Sequence, residues 1–252
     1  MLDFFKEAYY VAWADIRFMR HNALNILISS IMGPLLYLLA FGFGLGRGMG
    51  LDVDGIPYIA FIIPGIAALT SLSGSFSSVS TRLNVQRLYY RSLDEMIMCP
   101  ISIPAIVLGK SLHGVFRGLI STSIIFSIGL ALAPEYLFIT PLYVVSITLS
   151  CFTFSFLGVS AALIANSHQK MATFSNLVIL PMTFLCGTFF SVEALPPVFK
   201  AVLYALPLTH SSVAVRAAAL EWDFPWISLL VLLCFCTAFF IINVYLIKVK
   251  KV

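Results

Sequence analysis

The amino-acid sequence predicts an all-α integral membrane protein. Of its 252 residues, 60% are hydrophobic and only 10% are charged, and the mean hydropathy is +1.00. Soluble domains carry about 25% charged residues, so this composition excludes an ordinary soluble fold. Long uncharged segments recur along the chain, and each can cross a hydrocarbon core of about 30 Å. We expect six transmembrane helices, an N-terminal amphipathic interfacial helix, a polar cytoplasmic segment and an extracellular re-entrant helical hairpin.

Residues 1–23 are expected to form the amphipathic helix on the cytoplasmic side of the membrane. Its apolar positions recur at helical spacing and are Phe5, Tyr9, Ala12, Trp13 and Ile16. A solvated tail is the alternative, but Trp13 and the neighbouring tyrosines favour the membrane interface. The first long apolar run exceeds the hydrophobic region of a signal peptide, so we expect it to stay in the mature protein.

Six apolar segments are assigned as membrane spans within a single transmembrane domain that covers residues 1–252. The first two spans lie in stretches without Asp, Glu, Lys or Arg, and the fourth is equally free of them. At a rise of about 1.5 Å per residue each is long enough to cross the bilayer. The spans are 24–46, 56–81, 104–133, 138–165, 171–191 and 225–247.

The third span is interrupted by Lys110, His113 and Arg117, which share one helical face. Two interpretations stay open. In the first, the early turns project into the cytoplasm and the side chain of Arg117 snorkels to the interface. In the second, the three side chains form the rim of a cytoplasmic vestibule or a gate. The first is favoured, because the 17 uncharged residues 118–134 behind Arg117 barely span a membrane.

The distribution of Lys and Arg predicts the orientation of the chain. Six spans place both termini on one side, and that side carries 11 of the 15 basic residues, whereas the other carries three. Cytoplasmic loops are enriched in Lys and Arg, so both termini and segment 82–103 are predicted to be cytoplasmic.

Segment 82–103 is the longest connecting segment with charged residues between two spans. The order of its apolar and polar residues is that of an amphipathic helix. One side of the helical wheel collects Val85, Leu88, Tyr89, Leu93, Met96 and Cys99. The other side collects Arg87, Tyr90, Arg91, Asp94, Glu95 and Met98. Pro100 is expected to end the helix. Joining two spans needs no such element, so we expect the polar side to contact a partner.

The region between spans five and six, 192–222, is too apolar for a free loop. Its apolar piece 201–215 contains Pro207 and is too short to cross the membrane twice. We expect a re-entrant hairpin packed on protein in the outer leaflet. A pair of helices lying on the external surface is the alternative.

No catalytic, nucleotide or metal site is recognisable in the sequence. The triplet from Gly109 to Ser111 resembles the end of a phosphate-binding loop, but Pro104 stands where the first glycine is required. The spans contain almost no acidic residues, which disfavours ion-coupled transport within this chain. We expect the five cysteines to be reduced packing residues, and the scattered positive charge argues against nucleic-acid binding.

Hydroxyl and small residues in the spans are expected mainly to allow close helix packing. In span five, however, Asn176, Thr183 and Thr188 lie among bulky apolar residues. A conduit lined by them would be weakly polar and therefore suited to an amphiphile rather than to an ion.

Two motifs make the chain resemble an ABC-2 type transporter permease of the drug and nodulation-factor exporter branch. The run from Asp94 to Pro100 is similar to the acidic, aliphatic and proline pattern that ends the family's cytoplasmic coupling region. A second set resembles the family's re-entrant element and comprises Gly187, Glu193, Pro196, Pro197, Pro207 and His210. The chain departs from many relatives in having Ser92 and Leu93 before the acidic pair. The resemblance covers the whole chain.

The resemblance implies the permease subunit of an ATP-driven exporter that moves an amphiphilic or lipid-linked substrate outward across the cytoplasmic membrane of a prokaryote. Two permease chains, identical or different, would assemble with two ABC ATPase chains and contact membrane lipid. The ATPase chains would bind ATP and Mg. This chain itself is expected to bind no cofactor and not to be an enzyme. The implied ATPase-coupling residues are Arg87, Tyr90, Arg91, Asp94, Glu95, Met98 and Pro100. A self-sufficient channel or secondary carrier and a non-transporting membrane scaffold are the alternatives.

Overall fold

The computed structural model describes residues 2–47, 52–53, 55–190 and 196–249. These residues form α1 (Leu2–His21), α2 (Ala23–Tyr37) with a π-helical continuation (Leu38–Arg47), β1 (Asp52–Val53), β2 (Ile56–Pro57), α3 (Tyr58–Leu88), α4 (Ser92–Met98), α5 (Ile103–Leu132), α6 (Pro141–Ile164), α7 (His168–Phe174), a π-helical turn (Ser175–Ile179), α8 (Leu180–Leu185), α9 (Pro197–Tyr204), α10 (Pro207–Ala219) and α11 (Trp226–Val249). The two short strands pair antiparallel, with Val53 opposite Ile56. The prediction of a helical membrane protein is confirmed.

Four of the helices, α3, α5, α6 and α11, are long and apolar enough to cross a membrane. The pair α9 and α10, bent by 93°, makes a fifth candidate by length and composition. The predicted spans one and five are both interrupted, because α2 passes into a π-helix and α7 is separated from α8 by a π-helical turn. The described residues therefore contain four uninterrupted candidate spans, or five if the bent pair α9 and α10 is counted as one span, and the predicted count of six stays a prediction.

The long helix α3 forms the centre of the bundle and contacts α5, α6 and α10. Its middle is rich in small and hydroxyl residues, which let neighbouring helices approach closely. A Cβ atom added to Gly74 would lie 3.1 Å from the Cα atom of Gly118 on α5. The hydroxyls of Thr70 and Ser71 donate to carbonyls of their own helix at 2.7 Å. Several hydroxyl side chains of α3 are thus satisfied within the helix.

Helix α1 packs along the first half of α5 through small residues. Ala8, Val11 and Ala12 are buried, and a Cβ atom on Gly109 of α5 would lie 2.6 Å from the Cβ atom of Val11. The aromatic residues of α1 point elsewhere, and Trp13 is 50% exposed. The sequence assigned Ala12 to the same apolar face as Trp13. The structure divides these positions between a small-residue face on the protein and an aromatic face left open.

Segment 82–103 is not one helix, which corrects the sequence prediction. Helix α3 continues to Leu88, and the chain then turns through Arg91, whose φ angle is +51°. Helix α4 begins at Ser92 and is only seven residues long. A non-glycine residue in the left-handed region breaks the helical path. The turn redirects the chain so that Leu93 becomes buried against the bundle.

The bend between α9 and α10 is held by side chains at the start of α10. The hydroxyl of Thr209 donates to the carbonyl of Leu203 at 2.6 Å, and Nε2 of His210 lies 2.8 Å from the carbonyl of Tyr204. Proline occupies the first position of both helices, at Pro197 and Pro207, where its missing N–H costs nothing. Helix α10 is almost entirely buried, whereas the apolar residues of α9 are largely exposed.

Candidate functional site

A charged and aromatic surface surrounds α4 at the end of the bundle where α3 terminates. We call the exposed residues Tyr90, Arg91, Asp94, Glu95, Met98 and Pro100 the α4 surface. Tyr90 is 73% exposed and Met98 is 86% exposed, which is unusual for large side chains with apolar character. Leu93 is buried on the opposite side and anchors α4 to the bundle. The seven-residue helix is therefore fixed from behind and presents its polar side outward.

Arg87, which the sequence grouped with this surface, is engaged inside the molecule. Its guanidinium group donates to the carbonyls of Ala162 and Leu163 at 2.9 and 2.6 Å. It also donates to the carbonyl of Ala165 at 3.3 Å and to the side-chain oxygen of Asn166 at 3.0 Å. The last carbonyls of a helix lack intrahelical partners and carry partial negative charge. Arg87 therefore caps α6 and joins it to the end of α3.

A cleft of about 510 Å³ adjoins the α4 surface. It lies between the ends of α3, α4, α6 and α11, and Arg91, Asp94 and Ile97 form the α4 side of its wall. Charged groups at the rim and apolar groups such as Leu163 and Ile247 deeper in the cleft give a concave site with mixed polarity. A protruding element of another protein can be held in such a site.

A buried ion-pair cluster lies behind α4 and joins α1 to the membrane helices. The carboxylate of Asp15 accepts hydrogen bonds from Nε of Arg82 at 2.6 Å and from Nζ of Lys110 at 2.9 Å. Gln86 completes the cluster, because its amide donates to Asp15 at 3.0 Å and its side-chain oxygen accepts from Lys110 at 2.8 Å. Asp15 is only 2% exposed. One carboxylate on α1 thus holds cations on both α3 and α5.

Glu7 makes a second link from α1 to the rest of the chain. Its carboxylate accepts hydrogen bonds from the hydroxyl of Ser102 at 2.6 Å and from the Ser102 backbone N–H at 3.0 Å. These two hydrogen bonds lower the pKa of Glu7. Ser102 immediately precedes α5, so α1 is attached both at the start of α5 and two turns further along.

The three basic residues of the third predicted span occupy different environments. Lys110 is buried in the ion-pair cluster rather than projecting into solvent. His113 is also buried, at 4% exposure, and its Nδ1 atom has no hydrogen-bond partner among the described residues. Arg117 is half-buried and donates from Nε to the hydroxyl of Ser30 at 2.8 Å. His113 and Arg117 line one groove, whereas Lys110 does not.

At the opposite end of the bundle, Arg216 of α10 is buried without a carboxylate partner among the described residues. Its guanidinium group donates to the carbonyls of Phe61, Gly187 and Thr188 at 3.2, 2.8 and 3.1 Å. The group also lies 4.0 Å above the ring of Phe61. Gly187 has a φ angle of +72°, which favours glycine and turns its carbonyl toward this cation. Arg216 thus fixes the chain just after α8.

Sequence reasoning missed the role of Arg216, which is one of the three basic residues counted on the external side. One signal was present. Arg216 is the only charged residue in the stretch 201–220, whose other residues are apolar or small and polar. A lone arginine in such a stretch at membrane depth requires internal partners, and backbone carbonyls near a helix break can supply them.

We expect Arg216→Leu to lower the free energy of unfolding by at least about 2 kcal/mol, because a buried acceptor left without a donor costs about 1–3 kcal/mol. Thermal unfolding of the detergent-purified protein measures this change. Labelling of the buried thiol of Cys186 by a maleimide should also accelerate, in a background where the exposed Cys99 and Cys234 are serine. Lys200→Leu removes a cation from the neighbouring α9 and is the matched control. Equal labelling of Cys186 in both variants contradicts the role given to Arg216.

The proposed conduit residues of span five do not form one continuous lining. Asn176 is exposed on the π-helical turn, Thr183 is half-exposed and donates to the carbonyl of Leu180 at 2.7 Å, and Thr188 is fully buried. Beside Thr188, an aromatic cluster joins the two interrupted helices. It consists of Tyr37, Phe41, Phe184 and Phe189, with ring centroids 4.4–6.5 Å apart.

Only some residues of the predicted re-entrant element lie close to one another in the structure. Gly187 contacts Arg216, and Pro207 and His210 lie at the start of α10. Pro197 begins α9, Pro196 precedes it, and both are exposed. Glu193 lies outside the described residues. Among the residues that are described, no group of three or more His, Cys, Asp or Glu could hold a metal ion.

The fold and these sites define a multi-pass helical membrane protein with an exposed charged helix at one end. Comparison with known proteins gives the family. Residues 7–220 match the ABC-2 type transporter model, so the chain belongs to the ABC-2 type transporter family. The resemblance seen in the sequence is confirmed. The family places the chain among the membrane subunits of ABC transporters and implies an ABC ATPase as partner.

Individual relatives are similar along most of their length. The inner membrane transport permease YadH of Escherichia coli K12 is 25% identical over 228 residues, which is 88% of each chain. Nodulation protein J of Rhizobium meliloti is 28% identical over 215 residues, 82% of this chain and 76% of the relative. Nodulation protein J of Sinorhizobium fredii NGR234 is 29% identical over 175 residues, 67% and 64% respectively. Together with the apolar helices, these similarities indicate a multi-pass inner membrane protein.

Proposed function

We propose that this chain is the permease subunit of an ATP-driven exporter that moves an amphiphilic or lipid-linked molecule outward across the cytoplasmic membrane of a prokaryote. Two permease chains and two ATPase chains form the working assembly. ATP and Mg bind to the ATPase chains, and this chain contributes no nucleotide site. The observation that carries the proposal is the α4 surface, which is exposed, charged and fixed from behind in a member of the ABC-2 type transporter family.

In this proposal six spans cross the membrane and both termini are cytoplasmic. Helix α2 with its π-helical continuation forms span one, and α7 with α8 forms span five. The excess of Lys and Arg at the α4 end supports this orientation. Helices α9 and α10 form an outer re-entrant hairpin, which is supported by the burial of α10 among α3, α6 and α11.

The α4 surface and the adjoining 510 Å³ cleft are where the ATPase docks. Tyr90, Arg91 and Met98 supply the aromatic, arginine and methionine contacts that are enriched in protein interfaces. Asp94 and Glu95 supply charge that selects a partner of opposite sign. Arg87 acts from inside, because its bonds to the end of α6 hold the wall of the cleft in place.

Reconstitution of the purified chain with a Walker-motif ABC ATPase from the same organism tests the proposal. The two proteins should copurify, and an amphiphile should move across the vesicle membrane only when ATP is supplied. The permease alone should hydrolyse no ATP. Transport that persists after ATP is depleted, or hydrolysis by the single chain, contradicts the proposal.

A further inference from the structure

The groove that contains His113 and Arg117 is separate from the cleft beside α4, although Tyr90 of the α4 surface also lines it. It encloses about 790 Å³ between α1 and α2 on one side and α3 and α5 on the other. Ser77 and Thr81 of α3 are exposed within it, and Phe18 and Ile26 form part of its apolar wall. A smaller apolar cavity of about 160 Å³ lies next to it. Ile26 and Arg117 line both spaces, so a compartment of mixed polarity and an apolar compartment meet at Arg117.

The groove carries uncompensated positive charge. The only ion pairs among the described residues are those that Asp15 makes with Arg82 and Lys110, so one carboxylate is shared by two cations. Among the described residues Arg117 has no acidic partner, and it donates hydrogen bonds to two hydroxyls, at 2.8 Å to Ser30 and 3.4 Å to Ser29. None of the described residues that line the groove is acidic. With Arg117 included, two positive charges in this region are left without a counter-charge.

The position of Arg117 makes the uncompensated positive charge unfavourable in free energy. Arg117 lies about 21 Å along α5 from its first residue, in the middle of a membrane-length helix. Arginine at such depth is expensive unless it faces a partner or a polar cavity. His113 lies one turn earlier, lines the same groove and has a buried Nδ1 atom without a partner in the described part of the chain. Buried polar atoms are almost always hydrogen-bonded, so this atom can accept or donate a bond to a polar group that enters the groove.

We propose that the groove binds an amphiphile with an anionic head group, a phosphate or a carboxylate, which enters from the inner leaflet. Arg117 binds the anionic oxygens, His113 supplies a further hydrogen bond, and the adjacent apolar cavity takes the first part of the hydrocarbon chain. Charge-assisted hydrogen bonds from a guanidinium group to such oxygens are strong and directional. This inference rests on the proposed function in one respect, which is that the bound amphiphile belongs to the class of molecules that the transporter exports.

Native mass spectrometry of the full-length chain in detergent tests the inference with dioleoyl phosphatidate as the probe. Dioleoyl phosphatidylcholine has the same hydrocarbon chains but a zwitterionic head group, and it should bind at least about tenfold more weakly, as expected for loss of a charge-assisted contact. Arg117→Gln should weaken phosphatidate binding by a similar factor, and Arg117→Lys should restore part of it. Lys170→Gln removes a cation from an exposed position of α7 and should leave binding unchanged.

A second variant separates recognition from folding. Ser77→Phe fills the groove without altering any charge, and it should abolish phosphatidate binding while thermal unfolding stays near that of the wild type. Equal binding by wild type, Arg117→Gln and Ser77→Phe overturns the inference and indicates lipid held on the outer surface only. Equal binding of the two probes by the wild type overturns it as well. Neither result depends on an ATPase, so the proposed transport function would stand or fall separately.

Discussion

Replacing Asp15 by asparagine is expected to lower the free energy of unfolding by about 3–5 kcal/mol, because removing one partner of a buried pair leaves the other charge uncompensated. Two cations are affected at once. Lys110 would lose its carboxylate in a buried site, and Arg82 would lose it at the end of α3. The change also cuts the attachment of α1 to the bundle. Thermal or denaturant unfolding in detergent measures the effect.

Two controls distinguish charge pairing from a general effect of the substitution. Asp223→Asn makes the same chemical change at an exposed position and should cost little. The double variant D15N and K110M removes the carboxylate together with the buried ammonium group, and it should be more stable than D15N alone, because a buried pair replaced by neutral groups is often nearly neutral. A double variant that is less stable than D15N contradicts the pairing.

The pH dependence of this effect has a defined sign. Burial alone would raise the pKa of Asp15, but Lys110 and Arg82 more than offset it, and the net pKa is lowered below 3.8. A carboxylate with a lowered pKa contributes stability that is present above its unfolded-state pKa and is lost as the pH falls through the folded-state value. The difference between wild type and D15N should therefore be constant near neutral pH and shrink only below about pH 4.

Charge reversal of Asp94 and Glu95 to lysine is expected to reduce ATP-dependent transport at least about tenfold, because like charges placed against a partner cost several kcal/mol. Both side chains are exposed, and the buried contact of α4 is made by Leu93. The fold should therefore be retained. The free energy of unfolding should fall by only about 0.3–1 kcal/mol for each acidic residue removed from the first turn of α4, where a negative charge interacts favourably with the helix dipole. Transport into vesicles and copurification of the ATPase give the two measurements.

The matched control reverses the exposed Glu135 and Asp223, which lie at the end of the bundle away from α4. This control should leave both copurification and transport unchanged. An unaltered transport rate in the Asp94 and Glu95 variant rules out their role in coupling. Restored transport on introducing acidic residues at the facing site of the ATPase would identify the contact directly.

The helices could be predicted from the sequence because hydrophobicity is a local property of each segment. Most ends of α5, α6 and α11 fall where apolar runs stop at proline or at polar or charged residues. The break at Arg91 did not follow in this way, since a helical wheel continues its rotation through any residue. The buried contact of Leu93 helps to hold Arg91 in this left-handed conformation.

The polar contacts could not be predicted because they join residues distant in sequence. Asp15 lies 67 residues from Arg82 and 95 from Lys110. Arg87 was assigned to the exposed face from its angle alone, whereas the length of its side chain lets it reach the end of α6. For Arg216 the partners are backbone carbonyls, which the identity of a residue does not reveal.

The length of α3 has a mechanical consequence. This single helix of 31 residues extends about 46 Å from end to end. At one end it adjoins α4. At the other the hydroxyl of Tyr58 bonds to the carbonyl of Phe189, and Phe61 holds Arg216. A rod of this length tilted by about 5° moves its far end by about 4 Å. Because one continuous helix joins the two ends, a tilt of α3 about its α4 end would displace the contacts of Tyr58 and Phe61 at the other end.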